Sequence, residues 1–415
     1  MTRSLKVAYL VTQFPSLSQT FVTNEMYWIR NYGVEINIFS LFTPKSGIIH
    51  DQAKELLPYV NYSPFLSWKV LKAQLHFLRV SPLRYLKALG RVVRYTYHEP
   101  MLLLRALLLF PKSVYFVRKM KVSGAEHLHV HFVTLASVCA SAAVELLGIP
   151  LSIHPHAVGL FKRDQKSVRR QLEEAARVTT ISTFHQNYIA NLCPAIALED
   201  VNIIYCGIDI DRFQPLLDRS DNEVVHILSV GRLVEKKGFE YLIDACALLA
   251  KGGLDFACQI VGDGPLHEAL QARIEGHGLQ GLVTLLGPLE QASVLNLYQT
   301  SDIFALPCVV AHDGNQDGLP VVLLEAMACE LPVITTPTAG IVDAVSDDET
   351  GLLVQERDAH DLARALERLV VNGTLRSRLG KQARQKILED FQIQSNAAKL
   401  AAIFYQVKEQ NSLSL

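Results

Sequence analysis

Short, largely apolar runs, most of them closed by a Gly, Pro or Ser turn and followed by a helical stretch, recur along nearly the whole chain. In the first half they fall at residues 7–11, 34–40, 127–131, 151–153, 178–181 and 201–205. In the second half they fall at 224–230, 256–261, 282–286, 301–307, 332–336 and 351–354. Runs this short and this apolar fit strands buried on both faces. Neighbouring parallel strands need helical crossovers between them. The alternation therefore predicts an α/β chain with two Rossmann-like parallel-sheet domains. A polar stretch with Gly207 and Pro215 separates the halves. It places one domain at 1–205, a linker at 206–222, a second domain at 223–385 and a helical C-terminal segment at 386–415. The last helix, near 392–408, is expected to cross back onto the first domain.

Composition sets outer bounds. The 415 residues are 49% hydrophobic and 20% charged, as in a globular protein of two ordinary domains. A net charge of −1 gives no global attraction to nucleic acid. Seven scattered Cys without a Cys-x-x-Cys pair fit reduced thiols and a cytoplasmic location. Residues 7–11 are too short an apolar run for a signal peptide, and no run of about 18 uncharged apolar residues is present.

Two strand ends in the second half carry chemistry. After 224–230 comes Gly231-Arg232, then Lys236-Lys237-Gly238. Glycine lets a ligand approach the backbone, and the cations of Arg232 and Lys237 neutralise phosphate; Lys236 is expected to be solvated. After 301–307 the chain reaches Asp317-Gly318-Leu319-Pro320-Val321, where Gly318 and Pro320 mark the start of an apolar helix. A helix amino end suits phosphate. Glu325, the one charge inside that helix, lies roughly 7–8 Å along the axis. A nucleoside diphosphate laid along the helix would place phosphate at the tip and ribose hydroxyls on Glu325. The alternative is a carboxylate that satisfies only its own neighbours. In the first half, His127, His129 and His131 share one strand face, as a metal site, a cleft lining or a hydrogen-bonded core. His154 and His156 end the next strand.

Asp317 and Glu325, separated by seven residues and followed by Ala326-Met327-Ala328, resemble the signature of retaining glycosyltransferase family 4. Asp317 stands where Glu is usual. The resemblance covers nearly the whole chain. Pro15-x-x-Ser18-x-Thr20-Phe21 is similar to the opening of bacterial exopolysaccharide and colanic-acid-type members. It implies the GT-B fold, two Rossmann-like domains facing a central cleft. It also implies a nucleotide-sugar donor bound by residues 223–385, a glycan or lipid-linked acceptor on the 1–205 side, and retention of configuration. By the same resemblance Arg232 and Lys237 hold the diphosphate, Glu325 the ribose, Asp317 the sugar, and His156 lies beside the donor. Gly231, Gly287, Leu289, Gly318, Leu319, Pro320 and Val321 line the nucleotide, with main chain near Gly287 and Leu289 meeting the base. No cofactor and no metal is implied, since Arg and Lys take the cation's role. Two positions depart from the pattern: Gly159 replaces an Asp, and Asp343 falls in a degraded Gly-Ile-Pro-Glu.

Residues 61–121 carry twelve Lys or Arg against Glu99 alone, interleaved with Phe65, Leu66, Trp68, Leu71, Leu75 and Leu83. Basic amphipathic helices of this kind lie on anionic membrane surfaces, or form a solvated charged face. The first reading expects peripheral contact with the inner face of a plasma membrane. Two other functions compete. A dinucleotide oxidoreductase would show Gly-x-Gly-x-x-Gly after the first strand, where this chain has Phe14-Pro15-Ser16-Leu17-Ser18. A non-catalytic sugar-nucleotide-binding protein would share the fold without the reaction.

Overall fold

In the computed structural model, residues 4–16, 19–44, 51–65, 67–216 and 224–413 are described. Ser18, the expected N-cap of the first helix, Leu66 and the linker positions from 217 on lie outside them. The chain forms two compact units. One comprises Met1–Ile181, His185–Gly207 and Gln394–Leu415, and the other Ser182–Phe184 with Ile208–Ile393.

The first unit holds a parallel sheet of β1 (Leu5–Gln13), β2 (Val34–Phe42), β3 (Val60–Asn61), β4 (His127–His131), β5 (Leu151–His154), β6 (Arg177–Thr180) and β7 (Val201–Ile203). Their order is β3-β2-β1-β4-β5-β6-β7. Chain direction across the sheet reverses between β1 and β4. That is the switch point where such sheets bind ligands at their carboxyl ends. Register places Tyr9 beside His129, and His131 beside His154. One face packs Val7, Tyr9 and Ile38 against the helix Thr20–Trp28 and against Ala397, Leu400 and Phe404 of the last helix, Ile393–Leu413. The other packs Leu10, Leu128 and Val130 against Pro100–Ser123 and Leu135–Leu147.

Pro100–Ser123 is, among the described residues, the one helix long and apolar enough to span a membrane. Its Ala106, Leu109, Val114 and Val117 are core residues. The basic stretch is less uniform than its composition. Lys112 is buried and donates to the Leu41 carbonyl at 2.5 Å; burial lowers its pKa. Arg91 pairs with Glu145 and Glu174 at 3.2 and 3.1 Å. Lys69, Lys72, Arg79, Arg84 and Lys87 are exposed, beside Trp68 at 66%, Leu75 at 56% and Leu83 at 75% exposure.

The second unit repeats the plan with β8 (Val225–Val230), β9 (Phe256–Val261), β10 (Val283–Gly287), β11 (Ile303–Leu306), β12 (Val333–Thr335) and β13 (Leu352–Leu353), in the order β10-β9-β8-β11-β12-β13. Its switch point lies between β8 and β11. The first part of the expected linker belongs here. Ile208 and Phe213 are buried, and the Ile208 amide donates to the Phe391 carbonyl at 2.7 Å. Two apolar side chains inside a polar stretch are enough to fold it onto the domain. The helix Gly373–Asp390 also belongs to this unit, so the segment that returns to the first unit starts at 394 rather than 386.

Candidate active site

The loops leaving β8 and β11 meet at the second switch point. After β8 the chain turns through Gly231 and Arg232 into a single 3-10 turn, Glu235–Lys237, and then the helix Phe239–Lys251. Gly238 closes this turn with φ +66°, and a Cβ there would sit 1.9 Å from the Pro307 carbonyl oxygen. A side chain at 238 would push the turn off the end of β11. The Lys237 aliphatic stem lies over Gly231, where an added Cβ would meet its Cε at 3.2 Å. Glycine at both positions thus lets a lysine fold back into the site.

Lys237 is only 9% exposed, and its Nζ stands 2.6 Å from Asp317 Oδ2. Lys236 Nζ stands 2.7 Å from Asp317 Oδ1, with its side chain 18% exposed. Lys236 is therefore not solvated, as its sequence position suggested. The single 3-10 turn Glu235–Lys237 carries both lysines, and one carboxylate receives both ammonium groups. Burial alone would raise the Asp317 pKa, but the two lysines outweigh it and hold the pKa at about 2. For Lys237, burial acts downward and Asp317 outweighs it, so the pKa is raised. Arg232 is exposed and makes no ion pair among the described residues.

A folded pKa of about 2 against an ordinary 3.8 makes Asp317 worth about 2 kcal/mol of stability. Because the folded value is the lower one, this contribution is complete above the unfolded pKa and fades as pH falls through the folded one. Thermal melts between pH 5 and pH 2 should lose an acid-labile increment in the native chain and lack it in Asp317→Asn. Parallel melting curves for the two proteins would remove the ion-paired state from the description.

Beyond Asp317 the loop is tied by the Gly340 amide, which donates to the Gly318 carbonyl at 2.7 Å. Leu319 is buried, Pro320 is the N-cap with ψ 119°, and the helix runs Val321–Ala328, as expected from the turn residues. Among the described residues no side chain caps its first turn; the Leu323 amide turns back to the Pro320 carbonyl at 3.1 Å, which leaves the amides of Val321 and Val322 uncapped at the loop. Glu325 is held by the Tyr298 hydroxyl, which donates to Oε2 at 3.0 Å. Burial raises its pKa to about 7, against the opposing pull of Tyr298 and Arg212. Tyr298 was not singled out in the sequence; it lies on a separate helix, Gln291–Thr300. Gly287, at φ +71°, ends β10, and Leu289, at 39% exposure, follows it. A groove of about 490 Å³ opens there, lined by Leu286, Leu289, Ala292, Ser293, Asn296 and Leu297.

His156 belongs to the first unit. It is buried at the amino end of the helix Ala157–Phe161, with its Nε2 at 3.2 Å from His131 Nδ1 and its ring against Phe21. Burial, with neighbouring His154 and His131, holds its pKa well below the ordinary value, so the ring is neutral at pH 7. Gly159 has a steric cause: an added Cβ would lie 2.8 Å from both the amide nitrogen and the carbonyl oxygen of Val133. Gly159→Ala should cost about 1–3 kcal/mol through this overlap. A depressed Tm would register it; an unchanged Tm would mean that the Val133 backbone moves aside freely.

Residues 72–212 match a family model described as Glycosyltransferase Family 4, and residues 211–386 one described as Glycosyl transferases group 1. A candidate colanic acid biosynthesis glycosyltransferase of Escherichia coli K12 is 27% identical, over 96% of this chain and 99% of its own length. A GDP-mannose-dependent alpha-(1-6)-phosphatidylinositol monomannoside mannosyltransferase of Mycolicibacterium smegmatis is 30% identical, over 64% of this chain and 74% of its own. The crystal structure of Anabaena HepE with UDP and glucose has a TM-score of 0.69 at 16% identity, over 97% of this chain and 100% of that one. At that identity it establishes the fold.

Proposed function

The chain belongs to the family 4 glycosyltransferases, and from that membership we propose a retaining enzyme of exopolysaccharide or other cell-surface polysaccharide synthesis. It moves a hexosyl group from a nucleotide-sugar donor to a glycan or lipid-linked acceptor. The observation that carries the reading is the buried Lys237, folded over Gly231 at the switch point beside Asp317 and the open helix start at Pro320. A buried ammonium and uncapped amides converging on one loop suit a diphosphate.

In the proposed reaction the acceptor hydroxyl forms the new bond on the face from which the diphosphate leaves. The bond between the anomeric carbon and the phosphate oxygen breaks, its electron pair stays on phosphate, and that oxygen takes the hydroxyl proton. Arg232 and Lys237 stabilise the charge that grows on the leaving group. Asp317 orients Lys237 and lies by the sugar, Glu325 accepts from the ribose hydroxyls, and the Leu289 groove receives the base. The two cations serve the leaving group without a divalent ion. His156 is assigned to the donor sugar from the family pattern alone.

The test is a panel of nucleotide sugars scored for nucleoside diphosphate release, with and without lipid extract. Acceptor-dependent release from one donor is expected. Tight donor binding with no release under any condition would favour a non-catalytic sugar-nucleotide-binding protein.

The exposed basic and apolar face of Trp68–Val80 and Pro82–Arg94 supports peripheral attachment to an anionic membrane, where a lipid-linked acceptor would be found. Beside it, Phe65, Arg105, Leu108 and Leu135 line an apolar groove of about 570 Å³. At about 1 kcal/mol per basic residue, neutralising Lys69, Lys72 and Arg84 together should weaken binding to anionic vesicles about a hundredfold. Unchanged co-sedimentation would remove the membrane from the proposal.

A further inference from the structure

We propose that Glu25, His129, His131 and His154 form a closed, four-coordinate site for a divalent transition-metal ion of the zinc type in the first unit. Strand alternation puts His129 and His131 on one face of β4, and parallel register sets His154 of β5 beside His131. The helix Thr20–Trp28 lies over that face and turns Glu25 into it. One donor atom from each of the four lies within 4.8 Å of the others. Glu25 Oε1 is 3.0 Å from His131 Nε2 and 3.8 Å from His129 Nε2. Bonds of about 2.0–2.1 Å in a tetrahedron need donors about 3.3 Å apart, so the four donors need draw in by at most about 1.5 Å.

Three features separate this group from an ordinary buried histidine network. First, His129 Nε2 and both ring nitrogens of His154 are buried with no hydrogen-bond partner among the described residues, which costs free energy. Second, the Glu25 carboxylate is buried with imidazoles and a phenol around it and no Lys or Arg partner among the described residues. A bound dication would answer both. Third, two of the three imidazoles are already held on their far sides, and Tyr9 donates to the same Glu25 oxygen that faces the histidines. His129 Nδ1 lies 2.6 Å from Ser152 Oγ, His131 Nδ1 lies 3.2 Å from His156 Nε2, and Tyr9 Oη donates to Glu25 at 3.2 Å. Such outer contacts orient metal ligands and fix their tautomers.

His127 is not a ligand: it turns to Ser152 Oγ at 2.7 Å and to the Phe404 ring. Three imidazoles and one carboxylate suit zinc, and four protein ligands leave no position for substrate. The ion would therefore brace β4, β5 and the first helix and take no part in sugar transfer. Metal on His131 Nε2 would keep the proton on its Nδ1, which then donates to His156.

The full chain, free of any affinity tag, should purify with about one zinc per molecule by elemental analysis. Dialysis against a strong chelator should lower its Tm, and zinc should restore it. Cobalt loaded into the stripped protein should give the intense visible absorption of a tetrahedral site. His154→Gln should reduce metal content about tenfold or more, whereas the exposed-residue control His312→Gln should leave it unchanged. Three results would overturn the site: substoichiometric metal with a Tm indifferent to chelator and zinc, a weak octahedral cobalt spectrum, or a metal content equal in native and His154→Gln protein. The cobalt spectrum is read on the native chain, so it decides the matter even if the variant misfolds. None of these readouts depends on glycosyl transfer.

Discussion

Lys237→Ala should lower kcat by about a hundredfold to a thousandfold, the range for losing a preorganised charge that meets a developing anion. The loss should fall on turnover more than on folding, because Lys236 still faces Asp317 at 2.7 Å. Lys237→Arg should not rescue it. The lysine stem passes 3.2 Å from where a Cβ on Gly231 would lie, which leaves little room for a planar guanidinium. In the ligand-free chain Lys237 is committed to Asp317, so a diphosphate must share or take over that ammonium. Steady-state kinetics on the donor identified by the panel would settle this. A kcat within a few-fold of native would show that Lys237 serves only the ion pair.

Glu325→Ala should weaken donor binding at least about a hundredfold, since hydrogen bonds to a charged group are worth about 1.5–3 kcal/mol each and a ribose offers two hydroxyls. Glu325→Gln gives the sharper reading. With its pKa at about 7, the ligand-free carboxyl is half protonated at neutral pH. Ribose hydroxyls donate best to the ionised form, so donor affinity should rise with pH up to about 7 and then level off. The amide variant should lack that slope. The stability effect has the opposite sign: between the ordinary 4.5 and about 7 the folded state binds the extra proton, so this group's contribution falls as pH rises. Native-like affinity in Glu325→Ala would return the carboxylate to being a partner for Tyr298 alone.

Much of the fold was legible because buried parallel strands are continuous apolar runs, and here most end on a turn residue. The helix start at Pro320 was legible for the same local reason. Contacts between elements distant in sequence were not. The Lys236–Asp317 pair spans the two strand-end loops, although two adjacent cations facing one nearby acid were a signal that charge counting could have used. Glu325 and Tyr298 meet across separate helices. Among the twelve basic residues of 61–121, Lys112 and Arg91 are spent on Leu41, Glu145 and Glu174, which composition cannot reveal. The three-histidine strand was visible, but its partners Glu25 and His154 come from a helix about a hundred residues earlier and from the adjoining strand. His127 drops out because it turns to Ser152 and to Phe404 of the last helix, contacts that strand alternation cannot show. Gly159 looked like a departure from a family pattern, and packing against the Val133 backbone explains it.

The grip of the second unit on a nucleotide can be tested by calorimetric titration of UDP and GDP, with uridine and guanosine as phosphate-free controls. The proteins are the native chain, Arg232→Ala, Lys237→Ala and Glu325→Ala. The expected result is a split: the two cation variants lose affinity for the diphosphates while binding the nucleosides like the native chain, and Glu325→Ala loses affinity for both classes. Diphosphate affinities equal to native in all three variants would contradict it.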